Sequence, residues 1–167
     1  MIQHVLVPLD GSSLAETALD VACQILAPNG KMTLVTAIEL IDLPVYGGRM
    51  FPTLRAGAAD YEQIIESMLP QAQDYLKQVA ERCLTRGCSA EYCAHIGDPA
   101  LVIVEAAEQL GVDAIVMCSH GRAGLNRWLF GSVTSRVLSM TRCPVMVVPG
   151  RQLVQPLEDS SLTTHAG

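Results

Sequence analysis

Apolar residues along the chain fall alternately into short β-branched runs and into stripes of helical spacing. The first run, His4-Val-Leu-Val-Pro-Leu9, ends at the turn-forming Asp10-Gly11-Ser12 and predicts a buried strand. Ser13 with Glu16 three residues on has the form of a capping box. Leu14, Ala18, Val21, Ala22, Ile25 and Leu26 then mark one face of a helix that Pro28-Asn29-Gly30 should stop. Lys31 to Ile38, rich in Thr, Val and Leu, predicts a second strand. Residues 39 to 60 carry Pro- and Gly-bearing clusters and no sustained period, so a long loop is expected, of a length that tends to be functional and able to cover a ligand. Next comes a long helix with Ile64, Ile65, Met68, Leu69, Ala72, Leu76, Val79, Ala80 and Cys83 on its apolar stripe and Gly87 as its stop. Pro70 predicts a kink in it, or a break with a new helix starting there.

Ser89 to Ile96 reads as a third strand. Gly97-Asp98-Pro99 then supplies a turn, an N-cap carboxylate and a proline at the first helical position of a helix ending at Gly111. Asp113 to Cys118 is too short and too β-branched for a helix and predicts a fourth strand. After a polar loop, Gly131 to Arg142 carries Val133, Val137 and Leu138 as a last helix, and Pro144 to Val148 predicts a last strand. This alternation is the signature of a single Rossmann-like α/β domain, a five-stranded, mainly parallel sheet with helices on both faces. Ligands in such sheets sit beyond the carboxyl ends of the strands where the winding reverses, which directs attention to the loops after the first and fourth strands.

The chain has 167 residues, half of them hydrophobic and only 17% charged, so one core is expected over residues 1–150. The tail, residues 151–167, is polar and is expected to be disordered. A net charge of -6 argues against nucleic acid or anionic lipid as a partner, although a local basic loop can still bind phosphate. No apolar stretch reaches membrane-spanning length and the first residues lack the pattern of a secretory signal, so no membrane insertion and a cytoplasmic location are expected. Cys23, Cys83, Cys88, Cys93, Cys118 and Cys143 show no C-x-x-C pair and no zinc spacing, which reads as small buried thiols in a reducing compartment. Of these, Cys118 lies where chemistry is expected.

The loop after the fourth strand reads Cys118-Ser-His-Gly121-Arg-Ala-Gly124-Leu-Asn-Arg-Trp-Leu-Phe-Gly131-Ser132 and leads into a helix start. Glycines let a backbone approach a phosphate, and N–H groups at a helix N-terminus favour negative charge. Ser132 and Thr134 can add hydroxyl donors, and Arg122 or Arg127 positive charge. A Gly-rich surface turn would have the same composition, and no Walker motif is present.

Those residues resemble the universal stress protein family, whose nucleotide motif is G-x2-G-x9-G-[ST]. Cys118, Gly121 and Gly131-Ser132 fall at that spacing, with cysteine in place of the first glycine. Val7-Pro-Leu-Asp10-Gly-Ser12, Gly97-Asp-Pro99 and Cys143-Pro-Val-Met-Val-Val148 are similar to the family's first strand and acidic turn, its third turn and its last strand. The resemblance implies an ATP-binding regulatory module, with ATP (or ADP or AMP) as ligand, surrounded by Pro8, Asp10, Ala37, Met117, Cys118, His120, Gly121, Arg122, Gly131, Ser132, Val133 and Thr134. In that reading Asp10 lies by the ribose or a phosphate-bound Mg ion and the backbone of Ala37 reads the adenine edge, while Gly121, Gly131, Ser132 and Val133 surround the phosphates.

The resemblance also implies a homodimer through residues 144–148 and a protein partner it does not name. Cysteine at position 118 would be strained if that backbone needed a positive φ, and acceptable if it merely ends a strand. Nucleotide is then expected to order the loop of residues 39 to 60, with binding as the signal. The rivals are a nucleotide hydrolase or adenylating enzyme, for which His120 is the obvious general base, and a dimeric relative that has lost nucleotide.

Overall fold

Apolar β-branched runs without polar alternation are stable when covered on both faces, and the computed structural model, which describes residues 2–39, 58–119 and 130–149, covers them so. Its elements are β1 (Ile2–Pro8), α1 (Ser13–Ile25), β2 (Leu26–Ile38), α2 (Ala58–Thr85), β3 (Ala90–Ile96), α3 (Pro99–Leu110), β4 (Ala114–Cys118), α4 (Ser132–Met140) and β5 (Val145–Val148). The strands pair in parallel in the order β3-β2-β1-β4-β5.

Successive side chains of a strand point to opposite faces, and each face has its own helices. Val5, Val7, Leu34 and Val116 pack with Ala15, Ala18, Leu19 and Ala22 of α1 and with Leu76, Val79 and Ala80 of α2. Leu6, Val35, Ile115 and Met117 pack on the other face with Ala100, Ile103 and Ala107 of α3 and with Val137 of α4. Full burial of Leu6, Leu34, Leu76 and Ile115 contributes about 1.5–3 kcal/mol per side chain.

Four local expectations are corrected. The N-cap of α1 is Ser12, whose Oγ accepts from the Ala15 N–H at 3.1 Å. The capping box anticipated at Ser13 does not form, because Glu16 accepts instead from the Tyr75 hydroxyl (3.0 Å) and Arg82 (2.8 Å), both on α2. The helix also stops before Pro28-Asn29-Gly30. Leu26 already pairs with Ile2, and β2 therefore starts five residues earlier than its Thr/Val/Leu run, with a register shift before His4 pairs with Lys31. Asn29 takes φ +65°, a left-handed value that its short polar side chain tolerates better than most, and absorbs that irregularity. Finally, of the kink or break considered at Pro70, the break does not occur: α2 continues through it, and Pro70 is exposed, so water can replace the hydrogen bond that proline forgoes.

Candidate functional site

The winding reverses between β1 and β4, because β2 and β3 build out to one side and β4 and β5 to the other. Registered pairing of β1 with β4 covers Val5 with Ala114 and Leu6 with Ile115, whereas β1 stays registered with β2 as far as Pro8 with Val35. The two central strands therefore part before their carboxyl ends. This is the place where a doubly wound sheet opens a crevice for a ligand.

On the β1 side, Gly11 adopts φ +79°, a conformation open to glycine and strained for other residues, and it turns the chain directly into α1. Asp10 Oδ1 accepts from both the backbone N–H (2.9 Å) and the hydroxyl (2.6 Å) of Ser12, so carboxylate, cap and helix start form one chain of hydrogen bonds. Leu9 donates to the Val35 carbonyl (2.8 Å) and accepts from the Thr36 hydroxyl, which holds this turn beside the end of β2 where half-buried Ala37 lies. Gly97 donates to the Ile38 carbonyl at 3.0 Å and brings the start of α3 to the same rim.

There Asp98 caps α3 as the sequence predicts: Oδ1 accepts from the N–H groups of Ala100 and Leu101, each at 3.1 Å, with Pro99 opening the helix. Its other oxygen accepts from Arg136 of α4 at 2.5 Å. The hydrogen bond from Arg136, followed by that from Leu101, keeps the Asp98 carboxyl below its ordinary range. The same pair raises Arg136. Sequence spacing gives no sign of this link between α3 and α4, since the partners are 38 positions apart.

On the β4 side, Met117 and Cys118 are buried, and Cys118 ends the strand with no positive φ. The backbone strain considered for a cysteine at this position is absent. Thr17 of α1 lies 3.9 Å from its sulfur. Ser119 donates to the Val148 carbonyl (2.8 Å) and accepts from the Gly131 N–H (2.7 Å), and the Gly131 carbonyl accepts from Ser135 (2.9 Å). Gly131 is the N-cap of α4 and has no side chain with which to cap the first-turn N–H groups of Ser132, Val133 and Thr134. Ser132 is exposed and Val133 half-buried. The hydroxyl donor anticipated from Thr134 is turned away from the rim: it is buried and donates to the carbonyls of Cys118 (3.1 Å) and Ser119 (3.4 Å). Thr134 therefore offers the rim its backbone N–H, while its side chain fixes α4 onto β4.

Pro8, Asp10, Ala37, Met117, Cys118, Gly131, Ser132, Val133 and Thr134 are thus all placed at the carboxyl ends of β1, β2 and β4 or on the first turn of α4. His120, Gly121 and Arg122 lie outside the described residues, as do residues 40–57 of the anticipated loop and the tail 151–167. The sequence reading missed Ser12, Thr36 and the Asp98–Arg136 pair, of which only Ser12 left a signal, in two adjacent serines that both suit a cap.

Residues 1–149 match the universal stress protein family. Universal stress protein MJ0531 of Methanocaldococcus jannaschii is 31% identical over 152 residues, covering 89% of this chain and 82% of that protein. The solved structure of protein MJ0577 from the same organism is similar, with a TM-score of 0.73 and 26% identity over 92% of this chain and 99% of that one. A universal stress protein solved in complex with cAMP superposes with a TM-score of 0.56 and 25% identity, covering 90% of this chain and 98% of its own.

Proposed function

Because the chain belongs to the universal stress protein family, we propose that it binds an adenine nucleotide across the crevice between β1 and β4, with the phosphates on the first turn of α4. One observation carries this reading. Of α1, α3 and α4, which all start at this rim, the first two are closed by Ser12 and Asp98, and α4 starts from a glycine. A helix start without a side-chain cap presents aligned N–H groups and the positive end of the helix dipole to an anion. The relative that holds cAMP supports adenine as the base.

In this reading the ligand is ATP, ADP or AMP. Its adenine edge meets the backbone of Ala37 and its ribose lies near Asp10. Pro8, Met117 and Cys118 form the floor between the parted strands, and His120, Gly121 and Arg122 complete the phosphate loop. Among the described residues no group of three His, Cys, Asp or Glu is arranged to hold a metal ion. A Mg ion accompanying ATP would meet the Asp10 carboxylate, with phosphates and water completing its shell, as Mg commonly does.

The bound nucleotide is the signal, read by a protein partner, and chemistry on it is secondary. β5 lies at the sheet edge with Met146 exposed, and it supports a two-fold pairing of copies through residues 144–148. No helix among the described residues is long and apolar enough to cross a membrane. Mass spectrometry of the nucleotide released on denaturing the purified protein, with calorimetry of ATP, ADP and AMP in the presence and absence of Mg, tests the reading. Release of an adenine nucleotide, or micromolar binding of one, is the expected result. No release and no binding at millimolar concentration would end it.

A further inference from the structure

The sequence scatters its cysteines, but the fold gathers three of them at the amino end of the sheet, away from the rim described above. α2 ends in a Schellman motif: Gly87, at φ +82°, donates to the Leu84 carbonyl, and Cys88 donates to the Cys83 carbonyl, both at 3.0 Å. This motif brings the side chains of the two residues joined by its outer bond together, ordinarily as an apolar pair. Here both are cysteines. Cys23, in the last turns of α1, packs against the same core cluster as Cys88, the cluster to which Cys83 belongs, and Cys88 and Cys83 are the thiols that act on its own. Cys83 is buried, whereas Cys23 and Cys88 keep part of their surface in solvent, and all three are free thiols. Among the described residues no set of three His, Cys, Asp or Glu is arranged for a metal, so coordination does not account for the grouping.

We propose that Cys23 and Cys88 form an intramolecular disulfide when the protein meets a hydroperoxide, which makes the amino end of the sheet a redox site separate from the nucleotide rim. The sulfur of Cys88 attacks the peroxide, the O–O bond breaks, and a sulfenic acid and one water form. The sulfur of Cys23 then attacks that sulfenic sulfur, the S–O bond breaks, and the oxygen leaves as a second water carrying the Cys23 proton. Two thiols and one hydrogen peroxide give one disulfide and two waters, with sulfur oxidised and peroxide oxygen reduced.

Burial first, then the hydrogen bond with Cys88 and the neighbouring Cys88, Cys83 and Asp20, push the Cys23 thiol up to about 12. Cys23 is therefore the resolving thiol, and closure accelerates as pH rises. The bond would tie α1 to the turn that leads into β3, restricting the chain over the whole of β2 and α2.

The test uses the purified full chain, treated with a few equivalents of hydrogen peroxide and quenched. Titration should lose two of the six thiols per chain, reductant should restore them, and non-reducing peptide mapping should find Cys23 linked to Cys88. In Cys23→Ser and Cys23→Ala, whichever folds with a wild-type circular dichroism spectrum, the linkage should vanish and dimedone should label Cys88. Mapping of the wild type needs neither variant. Six remaining thiols, a bond from Cys88 to Cys83, or disulfides only between molecules would each overturn the proposal, whatever the outcome of the nucleotide measurements.

Discussion

α3 and α4 start at the same rim of the same sheet, lie on the same face and touch through Asp98 and Arg136, yet their first turns are built in opposite ways. α3 has proline in its first turn and a carboxylate that accepts two of its N–H groups. α4 follows a glycine locked by backbone hydrogen bonds alone, to Ser119 on one side and Ser135 on the other. A cap on α3 stabilises the fold, because it satisfies donors that the helix itself cannot. Its omission on α4 forgoes that stabilisation and leaves a surface that an anion can satisfy instead. A helix start whose cap is missing while its glycine is firmly held is therefore a better marker of a binding position than the glycines of the loop by themselves.

The strongest way to break this comparison is to add bulk to α4. Gly131→Val keeps a permitted backbone, since φ there is −55°, but places a branched side chain at the proposed phosphate site. Calorimetry should show nucleotide affinity reduced about 100-fold, or about 2.7 kcal/mol, with the fold unchanged. Unchanged affinity in a folded variant would remove α4 from the site. Gly131→Asp makes α4 resemble α3 by supplying the missing cap. It should raise Tm by about 1 °C while weakening nucleotide about 10-fold, because the new carboxylate occupies the N–H groups and repels phosphate.

The converse change opens α3. Asp98→Ala should lower Tm by about 2–4 °C and change nucleotide affinity less than twofold. Because Arg136 and the helix N–H groups hold this carboxyl below its ordinary value of 3.8, its stabilisation is fully present above that value and is lost as pH falls through the depressed one. The Tm difference between wild type and Asp98→Asn should accordingly be constant above about pH 5 and close at lower pH.

Much of this was legible in the sequence because the relevant signals are local. The Gly97-Asp98-Pro99 start, the Gly111 stop and the apolar runs of β1 and β4 each depend on a few adjacent residues, and the structure has them where the pattern puts them. Errors arose where a distant partner decided the outcome. Glu16 left its anticipated capping role because Tyr75 and Arg82 approach from α2. Leu26 left its helix because Ile2 offers a strand to pair with. The Thr134 hydroxyl serves the carbonyls of Cys118 and Ser119, which no spacing rule would select. The thiol grouping was hidden for the same reason, since Cys23 reaches the cluster that holds Cys83 and Cys88 only through the packing of α1 on the sheet.

β1 precedes the other four strands of the sheet in the chain and lies at its centre. One of its edges closes early, against β2. Its other edge waits for β4 and for the Asp113 carboxylate, which accepts from the N–H groups of Gln3 and His4 from more than 100 residues further along the chain. A nascent chain that has emerged only as far as α3 therefore carries its own central strand half paired, with a row of free backbone donors and acceptors on an apolar ribbon. Translation up to that point produces a body that is largely assembled and still adhesive, and the next few residues to emerge, Ala114 to Cys118, are the ones that quench it. Ribosome-bound chains arrested just before and well after that segment should differ sharply in protease resistance, the longer one behaving as the finished protein.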